Sequence, residues 1–160
     1  MLLYLFGSKD GLVRALLVRA REDELAMLRA PGHGTAPTGG EPEIAPGQGV
    51  GETVRSIWSW LIAPEHRSLL VLWGESYVQS LVEPDGPWAG FSRQTVEDWL
   101  EVLAAVQPED ERNSEAGLAR RTLALAVMRG ALLDLLATGD VERTTAAVDL
   151  HLRTLAAKTG

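Results

Sequence analysis

The stretch SEAGLARRTLALAVMRGALLDLLATGDVERTTAAVDLHLRTLAAK, residues 114–158, decides the fold. It reads as two long helices joined by one tight break. In the second, Val141, Thr145, Val148, Leu152 and Leu155 recur at spacings of 4, 3, 4 and 3, a stripe along one helical face. In the first, Leu118, Leu125, Leu132 and Leu136 lie near one stripe, while Leu123, Val127, Leu133 and Ala137 mark others. A helix apolar on several sides must be covered on several sides, by its own domain and by a partner. Gly139 suits the left-handed position that closes a helix, Asp140 can cap the next one, and Glu142 complements its N-terminal dipole. The break at Thr138–Asp140 therefore predicts an antiparallel hairpin. Its apolar outer surface predicts a homodimer, with Leu125, Leu132, Val141, Val148, Leu152 and Leu155 as the dimerisation residues.

Upstream of the hairpin the chain reads as a succession of helices. PEDERN, residues 108–113, is a polar loop. Ser92 can cap a helix over 93–106, whose Val96, Trp99, Leu100 and Leu103 form a stripe. EPDGPW, 83–88, is a turn by composition. Glu65–Val82 is a helix with Leu69, Leu70, Trp73, Tyr77 and Leu81 inward, and Gly51–Ala63 another with Val54, Ile57, Trp58 and Leu61 on one face. Trp60 points roughly opposite Trp58, so the two serve different walls. Residues 30–50 form a linker rich in Pro and Gly, read as a mobile excursion. Before it, Ser8–Arg29 is a helix capped by Ser8, with Val13, Leu16, Leu17, Ala20, Met27 and Leu28 on its apolar face. No strand pattern and no internal repeat is found. The expected fold is an all-α helical bundle.

Composition narrows the function. A chain of 160 residues fits one domain and can bury a sizeable core. The net charge of −7 is unevenly placed, with five basic and four acidic residues in 1–30 against ten and eighteen in 31–160. An acidic body repels a phosphate backbone, which argues against nucleic-acid binding by this part. With no cysteine there is no disulfide framework, thiolate nucleophile or cysteine metal site. The opening MLLYLF is too short for a signal core and runs straight into Lys9 and Asp10. No run of about 18 apolar residues exists to span a membrane, so a cytoplasmic protein is expected. No nucleophile–base pair, phosphate loop or metal-spaced cluster is present, so neither an enzyme, a cofactor nor a metal is expected. His33, in the linker, reads as a loop histidine. Glu109–Asp110–Glu111 reads as a solvated turn.

Five tryptophans stand out, because each buries about 150–250 Å² and still offers an indole donor. Trp58, Trp73 and Trp99 lie on the inward stripes of three successive helices. With Tyr77 and Met128 they are the candidate ligand-binding residues, for a small apolar or aromatic ligand, against the competing reading of ordinary core. Tyr77, Gln79 and His66 are possible polar anchors. His151, beside the Val148–Leu152 stripe, is a candidate for a hydrogen bond at a dimer boundary.

The N-terminal stretch LLYLFGSKDGLVRALLVRA, residues 2–20, resembles the junction in TetR-type (TetR/AcrR) transcriptional regulators where the DNA-recognition helix ends and the next helix begins. The match falls on Leu2, Phe6, Ser8, Lys9 and Leu12; Leu3 and Leu5 depart from it. RGALLDLLATGD, residues 129–140, resembles the family's penultimate helix and its turn. The resemblance implies that residues 1–8 are the remnant of a recognition helix, that Tyr4 and Lys9 are DNA contacts, and that 9–160 form an effector-binding and dimerisation domain. It implies a transcriptional regulator, in this family usually a repressor, that reaches DNA only through helices preceding Leu2. Ligand binding would then shift the Ser8–Arg29 helix. The alternative is a DNA-free helical ligand carrier or a dominant-negative dimerisation partner.

Overall fold

In the computed structural model, which describes residues 49–156, Ser114 and Gly139 bracket the helix at the centre of the fold. Ser114 is extended, and its Oγ accepts the Gly117 N–H at 2.9 Å. At the other end Gly139 takes φ 71° and donates its N–H to the Leu135 carbonyl at 2.8 Å. That left-handed backbone disfavours any residue with a Cβ. Asp140 Oδ1 then accepts the Arg143 N–H at 3.0 Å, capping the last helix as its position suggested.

The described residues are all-helical, without a strand. They form α1 (Gly49–Leu61), a single 3₁₀ turn (Pro64–His66), α2 (Arg67–Val82), α3 (Phe91–Ala105), the short α4 (Glu109–Arg112), α5 (Glu115–Thr138) and α6 (Val141–Ala156). Helix α5 packs against all five other α-helices, and α6 folds back along it and onto α1. The core gathers Val54, Ile57 and Trp58 from α1, Leu70 from α2, Leu103 from α3, Leu125, Met128, Leu132 and Leu135 from α5, and Val148 and Leu152 from α6. Trp58 ties the two ends together, its indole N–H donating to Thr145 Oγ1 at 3.0 Å.

Several sequence expectations need correction. Leu125, Leu132, Val148 and Leu152, expected at a dimer interface, are buried within the protomer at 7, 5, 0 and 5% exposure. Their faces are taken by the core, because the strongest apolar stripe of an amphipathic helix turns inward first. Leu155 is half-buried against the same core, and Val141 alone of the six is exposed. In α2, Leu81 is exposed and Leu69 lies at the rim, while Ser76 and Ser80 are buried. Ser76 Oγ donates to the Leu72 carbonyl at 2.8 Å, and Ser80 Oγ lies 3.1 Å from Ser92 Oγ and accepts the Ser92 N–H. These short, satisfied side chains let α2 approach α3 closely, so a face defined by apolar residues alone is rotated from the true one. Ser92 is thus no cap; Gly90 at φ 76° precedes α3. Residues 109–112 are a turn of helix rather than loop, and α1 starts at Gly49, inside the expected linker. The Ser8–Arg29 helix, the linker up to 48 with His33, and the residue 1–8 remnant with Tyr4 and Lys9 lie outside the described residues.

A polar junction joins α3, α4 and α5. Arg112 donates to the carbonyls of Ala104, Ala105 and Gln107, closing the C-terminus of α3. Buried Gln107 donates through Nε2 to the Gly117 carbonyl at 3.0 Å and accepts Arg121 Nη1 at 2.9 Å. A Cβ at Gly117 would overlap the Glu111 carbonyl, so only glycine lets α4 cross there. Gln107→Leu should therefore cost about 1–3 kcal/mol in urea denaturation, because it removes both hydrogen bonds of a buried side-chain amide, to the Gly117 carbonyl and from Arg121, and Gly117→Ala should also lower the midpoint. Unchanged midpoints would show that the junction contributes nothing.

Candidate functional site

Four helices leave a gap where their bulky side chains meet. The cavity, of about 100 Å³, is lined by Ile57, Trp60 and Leu61 of α1, Leu69, Leu70 and Trp73 of α2, Trp99 with Phe91 and Thr95 of α3, and Leu125, Met128, Arg129 and Leu132 of α5. Each helix contributes residues three or four apart, so the wall is one face of each helix turned to a common axis. An engineered closed cavity of about 150 Å³ admits benzene, so this smaller space, open at a mouth, takes no more than a single ring, with any remainder of a ligand extending from the mouth.

Of the five candidate ligand residues, the structure brings Trp73, Trp99 and Met128 to the cavity. Trp58 is not there. It is 3% exposed and its indole is committed to Thr145. Tyr77 lies one helical turn beyond Trp73, the two rings 5.3 Å apart, and the Arg129 guanidinium carbon sits 5.2 Å from the Tyr77 ring centroid. Tyr77 thus supports the wall and orients the arginine without facing the cavity itself. Trp60 takes the place expected of Trp58. His66 stacks on it with centroids 3.8 Å apart, and His66 Nδ1 lies 2.7 Å from the Trp60 carbonyl. A carbonyl can only accept, so Nδ1 carries the proton. His66 is therefore a clamp on Trp60, and Gln79 is exposed, so neither is a polar anchor in the cavity.

Sequence reasoning missed Arg129, the one charged residue in the lining. Its Nη2 is buried without a hydrogen-bond partner. It stands within the most apolar stretch of α5, between Met128 and Gly130, and a lone cation amid that apolar run was the available signal. Thr95, the other polar lining residue, donates its hydroxyl to the Phe91 carbonyl at 2.8 Å. The cavity is thus an aromatic and aliphatic slot with one cationic group at its wall.

Among the described residues no group of His, Asp and Glu is placed to hold a metal ion, and no helix is long and apolar enough to cross a membrane. No protein-family model, curated protein or solved structure matches the chain.

His151 lies away from the cavity, on α6. Its Nε2 is buried and unpartnered, and burial holds its pKa below the ordinary 6.5. The folded state therefore binds its proton less readily than the unfolded state does. Stability is full above about pH 6.5 and falls as pH drops from there through the folded-state pKa. Thermal melts at pH 7.5 and 5.5 should show a loss that His151→Gln reduces; an equal loss in the variant would mean that other groups carry it.

Proposed function

We propose that this chain is a ligand-sensing helical domain of the kind found in TetR-type regulators, pairing with a second copy and acting without catalysis. The observation that carries the ligand half is the aromatic-walled cavity between α1, α2, α3 and α5, which holds Trp73, Trp99 and Met128 together with Trp60. A mostly apolar slot with few polar groups fits a small apolar or aromatic effector. The regulator half rests on the resemblance of residues 2–12 and 129–140 to that family. Its DNA contacts Tyr4 and Lys9 lie outside the described residues.

Pairing is supported by the face of α5 turned away from the core. Ala119, Leu123, Ala126, Gly130, Leu133 and Ala137 are all exposed and recur at spacings of 4, 3, 4, 3 and 4. On α6, Ala146, Ala147 and Leu150 are exposed as well. Small residues between leucines let helices approach closely, and the 3.5-residue period is that of a helix–helix seam. Leu123, Leu133 and Leu150, at 54, 46 and 59% exposure, are its large apolar members. They replace the buried leucines as the partner face.

Two measurements test the reading. Toluene should quench tryptophan fluorescence and raise the melting temperature, and Leu132→Phe, which fills the cavity, should abolish both effects. A silent titration of the wild-type protein would remove the sensor. In sedimentation, the wild-type chain should run as a dimer and Leu133→Arg as a monomer with unchanged helical circular dichroism. A wild-type monomer that still binds toluene would leave the DNA-free carrier and remove the dimeric regulator. Charge at Leu125 or Val148, by contrast, should unfold the protomer, since both are core.

A further inference from the structure

We infer that the ligand of this cavity is a monocyclic aromatic carboxylate, its ring seated among Trp60, Trp73 and Trp99 and its carboxylate paired with Arg129. The inference rests on the ligand-sensing reading above and specifies the chemistry of that site. Three observations carry it.

The first is the unsatisfied donor. A guanidinium has five N–H donors and no acceptor, and Arg129 Nη2 is buried without a partner. The ion pairs of the described residues engage Arg120 and Arg143, not Arg129. A buried donor left unmade is costly, and more so for a charged group, so an acceptor arriving with the ligand is worth more here than at a satisfied site.

The second is orientation. The Arg129 guanidinium sits 5.2 Å from the Tyr77 ring centroid, and Tyr77 in turn packs on Trp73, which lines the cavity. The cation–π contact holds the guanidinium beside Tyr77 at the cavity wall, where its Nη2 has no hydrogen-bond partner. A planar fork recognises a planar two-oxygen acceptor in bidentate fashion, which selects a carboxylate over a lone carbonyl.

The third is size and polarity. About 100 Å³ of space accommodates one ring, and the remaining walls are tryptophan, phenylalanine, leucine, isoleucine and methionine, with Thr95 already donating to Phe91. A phosphate dianion would need several further donors to offset its desolvation, and this wall does not supply them. A single carboxylate carrying a flat apolar body matches one cation and three indoles.

The test uses the whole chain and three probes that share a ring: benzoate, benzamide and toluene. Titration calorimetry or tryptophan fluorescence should give benzoate the tightest binding. Arg129→Met should weaken benzoate about tenfold or more, the range of a lost charge-assisted pair, and leave toluene within about twofold. Arg129→Lys, a point charge without the fork, should fall between. Toluene binding by the variants reports that the cavity has survived the substitution. If benzoate binds wild type no better than benzamide, or if Arg129→Met leaves benzoate unchanged, a water already satisfies the guanidinium and the carboxylate inference is overturned. If toluene binds and benzoate does not, the inference fails while the apolar sensor stands. If none of the three binds, both fall.

Discussion

Helix α5 must be covered on more than one side, and the rest of the structure follows from that constraint. It packs against every other α-helix of the described residues. Ala124, Leu125, Met128, Leu132 and Leu135 are buried on it, and the half-buried Val127, Ala131 and Leu136 widen that face on both edges. No single neighbour can cover so wide an apolar surface. Helix α6 covers one flank by folding back through the Gly139 turn, and α1 joins it there through Val54 and Trp58. Helices α2 and α3 cover the other flank, and the junction between α3 and α4 pins the N-terminal end through the Gln107–Gly117 bond. The Trp58–Thr145 hydrogen bond, between residues 87 positions apart, closes the ring around α5.

The cavity is what this arrangement leaves unfilled. Interiors pack near crystal density, so unfilled space where four helices meet departs from ordinary packing. A wall of tryptophans spaced along three helices sustains it. Indoles are rigid and too large to collapse into the space, and the stacking of His66 on Trp60 fixes one of them further. Arg129 adds a second unmet demand at the same place. A void and an unpaired cation together form a polarised slot, which ordinary core packing removes and ligand recognition uses.

What was legible in the sequence divides along physical lines. The hairpin was read to within a residue or two, because Ser114, Gly139 and Asp140 are capping residues whose chemistry is local. The all-α class and the five longer helices of the described residues followed from apolar period; the short α4 did not. Three of the five candidate residues line the cavity, because inward aromatic stripes converge wherever helices surround one space. The failures share a different cause. Periodicity tells that Trp58 and Trp60 face different walls but not which wall is the cavity, since that depends on which helix lies opposite. Ser76 and Ser80 escaped because a hydrophobic count treats serine as polar, although a hydroxyl bonded within its own helix or to a neighbouring serine buries at little cost. The outward apolar face of α5 was misplaced because the richest apolar stripe is the one a single chain consumes. What remains outside is poorer, with alanines and a glycine between leucines, and composition alone gives it little weight.

The cavity wall and the outward face are nonetheless parts of one object. Leu125, Met128, Arg129 and Leu132 line the cavity, while Leu123, Ala126, Gly130 and Leu133 emerge from the same turns of α5 toward solvent. At 3.6 residues per turn the two sets are centred roughly a third of a turn apart. Both sets sit on one continuous helix and share its backbone. Displacement of one wall is therefore displacement of the other. A group inserted beside Met128 and Arg129 pushes on the same backbone that sets the position of Leu123 and Leu133. Linkage requires only that occupancy favour one position of that helix over another, and the reciprocal effect, of pairing on ligand affinity, follows of necessity. Under the proposed function, the sensor and the pairing surface share one helix, so neither changes without consequence for the other.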